Sequence, residues 1–145
     1  GKQASPNSIF KNTGQVIFGG FGSTAQHSYF QLLHQGTASA CADIFTIESN
    51  KGTNKLLYAQ SQAQAGLLSN GPHEELELFE QVNGNIPVNL FKLKELNPKT
   101  LGFLIATWEH RTYVSAKMLQ INPFDQYGVS AGKIFAKKYL DEYGG

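Results

Sequence analysis

The sequence predicts an α/β fold with a largely parallel sheet, and three observations carry that expectation. Two short runs read as strands: Cys41–Ile47 by its β-branched and aromatic content, and Val88–Lys94 by its alternation, Val-Asn-Leu-Phe-Lys-Leu-Lys. Each is followed by a longer stretch of helical character, Asn54–Ser69 and Thr100–Met118. Gly, Pro and Asn punctuate the junctions. Strand and helix in alternation are what a parallel sheet with crossover helices requires.

Residues 1–14 are polar, turn-rich and without periodicity, and read as an exposed arm or loop. Gln15–Phe18 is a short apolar run that reads as the end of a strand. Gly19, Gly20 and Gly22 then allow a tight turn. A helix is expected next, with Ser23 or Thr24 as N-cap and Gly36 at the C-cap. Phe30 and Leu33, with Tyr29 a further candidate, fall on its buried face. The glycine turn serves either as a plain strand–helix connection or as a phosphate cradle, although it matches no full dinucleotide or P-loop pattern. His27 falls in the first turn of the expected helix, where the dipole favours a proton acceptor over a cation. The same position equally suits an ordinary surface histidine.

Cys41–Ile47 reads as a buried strand, which makes Cys41 a buried, inert thiol rather than a nucleophile. Glu48–Thr53 is expected as a loop. The Asn54–Ser69 helix has a small-residue face and is stopped by Asn70-Gly71-Pro72. Glu74–Gln81 reads as a short acidic helix, and Val82-Asn83-Gly84-Asn85 as a turn. After the Val88–Lys94 strand, Asn97 is the expected N-cap of the next helix, with Pro98 at its first position.

Leu101, Leu104, Ile105, Trp108, Tyr113, Val114 and Met118 make that helix the expected packing backbone. Glu109 and His110 sit in its middle. Adjacent helical residues point in different directions, so a working carboxylate–histidine pair is disfavoured against solvated or subunit-interface residues. Asn122-Pro123-Phe124-Asp125 breaks the chain, and Tyr127–Tyr143 reads as a terminal helix burying Ile134, Phe135 and Leu140, with Tyr139 a further candidate.

Composition bounds the function classes. One hundred and forty-five residues suffice for one compact domain, and 41% hydrophobic with 16% charged residues is globular rather than disordered. A net charge of +1 gives no bulk field for nucleic acid or membrane. One cysteine rules out an intrachain disulfide and suits a reducing compartment. No apolar run approaches the roughly 20 residues that span a bilayer, and no signal peptide is visible. His27, His34, His73 and His110 form no tight cluster with acids, so no metal-ligand spacing appears.

Two motifs carry a resemblance. Ala25-Gln26-His27-Ser28-Tyr29-Phe30-Gln31-Leu32-Leu33-His34-Gln35-Gly36-Thr37 resembles the Gly-Gln-His-Ala-Phe-Tyr-Gln-Leu-Ile-His-Gln-Gly-Thr segment of the glucose-6-phosphate isomerase (phosphoglucose isomerase) family. Phe124-Asp125-Gln126-Tyr127-Gly128-Val129-Ser130-Ala131-Gly132-Lys133 is similar to its C-terminal signature, Phe-Asp-Gln-Trp-Gly-Val-Glu-x-Gly-Lys. Residues 54–68, 86–96 and 101–111 resemble the family at lower similarity. The likeness thus covers nearly the whole chain but only the C-terminal part of the family's length. It implies that residues 1–145 belong mainly to the second sugar-isomerase (SIS) domain. The implied fold is an α/β sandwich with a mostly parallel sheet between helices, incomplete in this chain.

The resemblance implies reversible isomerisation of glucose 6-phosphate and fructose 6-phosphate through a cis-enediol, in a cytoplasmic, cofactor-free glycolytic and gluconeogenic homodimer. That chemistry needs a base to move a proton between C1 and C2 and a cation or donor for the enediolate charge. It also needs an acid–base pair to open the sugar ring and a cradle for the phosphate. His27 matches the family's ring-opening histidine, which reaches the neighbouring subunit's site. Lys133 matches the lysine that assists ring opening and contacts sugar oxygens, and Gln126 matches a glutamine of the same pocket. His34 is expected to be structural and hydrogen-bonded. Gly1-Lys2 would follow directly on the family's Glu-Ser-Asn, whose glutamate is the base. The base, the enediolate arginine and the phosphate cradle would then lie upstream of Gly1, and the fragment alone would be inactive and unstable.

Tyr127 stands where the family has Trp, Ser130 where it has Glu and Ala25 where it has Gly. The first two bear on packing, and the third restricts the turn before His27. Two rival readings are a non-catalytic sugar-phosphate-binding module of the same fold and a dual-specificity phosphoglucose/phosphomannose isomerase.

Overall fold

The computed structural model describes residues 2–3 and 5–144. Gly1, Ala4 and Gly145 lie outside the described residues, so the expectations that fall on them are not addressed. The elements in order are α1 (Gly22–Ala25), α2 (Phe30–Gln35), β1 (Ala42–Ile47), α3 (Asn50–Thr53), α4 (Lys55–Asn70), β2 (Val88–Leu93), α5 (Pro98–Met118) and α6 (Tyr127–Tyr143). The chain divides into two compact units, one of residues 17–104 and one of residues 1–16 with 105–145. The expected α/β class is what is observed, with strands β1 and β2 paired in parallel from Ala42↔Val88 to Ile47↔Leu93.

In the unit of residues 17–104, α4 covers one face of the strand pair. Its start is set by Asn54, whose Oδ1 accepts from the Leu57 amide at 3.1 Å and so satisfies one of the free donors of the first turn. Its end is set by Gly71, at φ +75°, whose amide donates to Leu67 O at 2.9 Å. The returning chain completes that end: Ile86 N donates to Leu68 O and Asn85 N to Ser69 O, both at 3.0 Å. The carbonyls that a helix terminus leaves unpaired are thereby taken up by the segment that leads into β2.

Strand alternation places Ala42, Ile44 and Thr46 on the face toward α4. Thr46 and Leu68 are the most deeply buried large side chains, and the Thr46 hydroxyl is hydrogen-bonded to Ser61 Oγ of α4 at 2.7 Å. The other face carries two cross-strand pairs in register. Asn89 Nδ2 donates to Asp43 Oδ1 at 2.8 Å, and the Phe45 and Phe91 rings stack at 5.0 Å.

Several expectations are corrected. Gln15–Phe18 forms no strand, and Val16 and Ile17 are exposed. The single helix expected up to Gly36 is two short helices with a turn at residues 26–29. Its cause is local: Tyr29 takes φ −135°, ψ −1°, which no α-helix continues through, and neither Ser23 nor Thr24 caps α1. Residues 50–53, expected as loop, form α3, and Glu74–Gln81, expected as a helix, shows only bends and turns. Glu74, Glu77 and Glu80 would stand three residues apart on one helical face, and their repulsion disfavours it. Cys41 is exposed, because it lies just ahead of β1 rather than within it.

Asn97 and Pro98, still in the 17–104 unit, start α5 as expected, and the boundary between the units falls inside this helix. Asn97 Oδ1 accepts from Thr100 N at 2.9 Å. The helix is observed, but its expected burial is not: among the described residues of α5 only Ala116 is fully buried, while Ile105, Tyr113, Val114 and Met118 are exposed. In α6, Ile134, Phe135, Tyr139 and Leu140 are exposed as well. Their apolar spacing gave the helix correctly, but among the described residues no further layer covers these faces.

Candidate active site

His27 sits in the turn between α1 and α2, exposed to solvent. The premise of a first-turn histidine on a continuous helix therefore fails. What holds the turn is packing on either side. Ala25 is 3% exposed, at the contact of α1 with α4. After the turn, Phe18 meets Tyr29 edge-on at 4.9 Å, Tyr29 stacks on Phe30 at 5.6 Å, and Phe30 lies 5.8 Å from the His34 ring. The ladder ends on His34, whose Nε2 is 2.8 Å from Gln64 Oε1 of α4. With the amide oxygen as acceptor, the ring proton is on Nε2. His34 thus has the structural, hydrogen-bonded role expected of it.

The far end of α2 is clamped to the loop that precedes β2. Gln35 Nε2 donates to Phe79 O at 3.1 Å and Gln81 O at 2.7 Å. Asn83 donates through its amide to His34 O and through Nδ2 to Gly36 O, both at 2.7 Å. His27 therefore projects from a connection whose two flanks are tied to α4 and to the 79–83 loop. Sequence reasoning did not pick out Gln35, Gln64 or Asn83, because hydrogen bonds across 30 to 47 residues leave no periodic trace.

Gln126 and Lys133 belong to the other unit. Gln126 is the N-cap residue of α6, at φ −142°, ψ 53°, and its side chain makes no capping bond. Lys133 lies seven residues on in α6, about 10 Å along the axis. Ser130 lies between them in the sequence, and both Gln126 and Lys133 are exposed. Gln126 and Lys133 thus stand at the start and in the middle of one helix, while His27 belongs to the 17–104 unit.

The turn that delivers Gln126 is a polar knot that the sequence reading passed over. Asn122 Oδ1 accepts from Phe124 N at 3.0 Å, an Asx turn, and Asn122 Nδ2 donates to Asp125 Oδ2 at 2.9 Å. Lys2 Nζ forms an ion pair with Asp125 Oδ1 and donates to the Asn122 carbonyl. The Asn-Pro-Phe-Asp run was a legible signal for the Asx turn, whereas nothing in the sequence pointed to Lys2.

A model of the family described as phosphoglucose isomerase matches residues 1–144. The chain belongs to that family. Among curated relatives, a glucose-6-phosphate isomerase of Acinetobacter venetianus is 36% identical over 95% of this chain and 29% of its own length. A glucose-6-phosphate isomerase 2 of Neisseria meningitidis serogroup A is 37% identical over 92% of this chain and 28% of its own. A crystal structure of a glucose-6-phosphate isomerase from Chlamydia trachomatis superposes with a TM-score of 0.75 at 28% identity, covering 85% of this chain and 26% of that one. This phosphoglucose isomerase family chain thus spans under a third of the length of the relatives it matches. Among its described residues, no helix is long and apolar enough to cross a membrane.

Proposed function

We propose that this chain is the C-terminal part, mainly the second sugar-isomerase domain, of an enzyme that interconverts glucose 6-phosphate and fructose 6-phosphate through a cis-enediol. The observation that carries the reading is the family match over residues 1–144, which includes both motif segments. His27 exchanges the proton that opens the pyranose ring, and it serves the neighbouring subunit's site in a cytoplasmic homodimer. Lys133 supports ring opening from the α6 face and holds a sugar oxygen as a cation, and Gln126 hydrogen-bonds another. An exposed histidine on a turn braced at both flanks suits such a role, because a general acid–base group must reach outward yet keep its position. The proton transfer between C1 and C2, the stabilisation of the enediolate charge and the grip on the phosphate fall to residues beyond this chain, and the chain alone has no turnover.

The test is turnover of glucose 6-phosphate, and separately of mannose 6-phosphate, by the intact protein that contains this chain. Turnover of the first substrate alone is expected. Binding without turnover would instead favour a non-catalytic sugar-phosphate-binding module. Turnover of both substrates would identify a dual-specificity isomerase.

A further inference from the structure

We propose that Lys2 is a positioning residue for the sugar-phosphate site, acting through Asp125 and Asn122 on Gln126 and the face of α6. The inference rests on the reading above that Gln126 and Lys133 face substrate. One ammonium group holds both ends of the four-residue turn at 122–125: it pairs with the Asp125 carboxylate and donates to the Asn122 carbonyl as a second partner. Asp125 is the residue immediately before Gln126. Its two oxygens are divided between Lys2 and Asn122 Nδ2, so its orientation is set from two directions. The Lys2 and Asp125 side chains are 34% and 23% exposed, so the pair is screened less than an open surface pair.

The knot has a reason to be at this place. Gln126 makes no capping bond of its own and lies outside regular helical geometry at φ −142°. A side chain in that state takes its direction from the backbone that delivers it. The Asx turn at Asn122 fixes Phe124, and the Phe124 ring meets Tyr113 of α5 at 6.0 Å. Lys2 closes the other side. Without its charge, Asp125 keeps only the Asn122 amide, and Gln126 and the first turn of α6 gain freedom.

The experiment compares Lys2→Met, Lys2→Arg, Asp125→Asn and the Lys2→Met/Asp125→Asn double variant in the intact protein, with isomerase kinetics and amide hydrogen exchange read on each. In kinetics, Lys2→Met and Asp125→Asn should each raise KM for the sugar phosphate about tenfold with a smaller change in kcat. The double variant should be no worse than either single one, since both remove the same contact. Lys2→Arg should recover most of the loss, because it restores the charge and both donors. In exchange, the Phe124 amide should lose protection in Lys2→Met while amides in the middle of α5 keep theirs. An unchanged KM, additive losses, or an arginine variant no better than methionine overturns the proposal. So does unchanged protection at Phe124. If the wild-type protein has no turnover, the functional reading fails, while the exchange result still decides whether Lys2 orders the turn.

Discussion

Gly71 and Gly84 meet backbone to backbone. A Cβ placed on Gly84 would lie 2.6 Å from the Gly71 nitrogen and 2.9 Å from its Cα. Both glycines have positive φ, +75° and +61°. One ends α4 and the other turns the chain that feeds β2. The close approach is what lets Asn85 and Ile86 reach the last carbonyls of α4 and set the start of the parallel pairing. Gly84→Ala therefore meets two penalties. The left-handed conformation costs a side-chain-bearing residue about 1–3 kcal/mol, and the contact with Gly71 adds to it. The intact protein should melt several degrees lower. Gly71→Ala escapes the clash, since its added Cβ would meet only Gly84 Cα at 3.8 Å, but φ +75°, ψ −173° is a glycine-only region, so it too should melt lower. Equal melting temperatures for Gly84→Ala and the wild type would disprove the tight approach.

The Thr46–Ser61 hydrogen bond couples β1 to α4 in the most buried part of the 17–104 unit. Ser61→Ala leaves the Thr46 hydroxyl without this partner at a site only 2% exposed, and should destabilise by about 1–3 kcal/mol. Thr46→Val removes the hydroxyl and keeps the shape, while Ser61 retains the Tyr58 carbonyl at 2.7 Å, so its cost should be smaller. The double variant should be more stable than Ser61→Ala alone. Thermal unfolding of the set checks that order, and a double variant below both single ones would contradict it.

Asn97 is the cap of α5 through its bond to Thr100 N. Asn97→Ala should cost about 1 kcal/mol, and Asn97→Ser should recover most of it, as capping by any short acceptor predicts. The comparison by denaturant titration separates a cap from a packing role, because serine is smaller than asparagine yet restores the acceptor.

These caps show which parts of the fold were legible. Asn54, Asn97-Pro98 and Gly71 act over three or four residues, so their chemistry is written in adjacent letters, and the helices they bound lie where the sequence places them. The parallel pairing of β1 and β2 followed from the alternation of elements. What failed was burial. Leu101 and Ile105 in α5 and Ile134 and Leu140 in α6 have helical spacing, but spacing identifies an apolar face and not what covers it. The same limit applies at the site. The spacing of Gln126 and Lys133 puts one at the start of α6 and the other within it. Lys2 reaches Asn122 across 120 residues, and only the folded chain reveals that contact. The break at Tyr29 escaped notice because the helical pattern runs through it, while the aromatic contacts to Phe18 and Phe30 accompany a different backbone.

Ring opening and isomerisation are separable steps, and His27 is assigned only to the first. His27→Ala in the intact enzyme should lower kcat on glucose 6-phosphate by about 10²–10⁴-fold, the range for loss of a general acid–base group. On an open-chain analogue that cannot close a ring, the loss should be within a few fold. Comparable losses on both substrates would remove His27 from ring opening. Retained thermal stability is expected, since the ring is exposed and its turn is held by Ala25 and Tyr29.

The homodimer reading makes a sharper demand. If each site takes Lys133 from one subunit and His27 from its neighbour, His27→Ala and Lys133→Met homodimers are both defective at both sites. Mixed by unfolding and refolding together, they also form heterodimers. One heterodimer site then receives intact Lys133 from the first subunit and intact His27 from the second, while the other site carries both defects. Random assortment makes half the dimers mixed, each with one working site, so activity should return to about a quarter of wild type. If both residues served their own subunit's site, every heterodimer site would carry one defect, and mixing would recover nothing. The gain on mixing therefore reports directly on whether the α1–α2 turn works across the interface, independently of how large either single loss is.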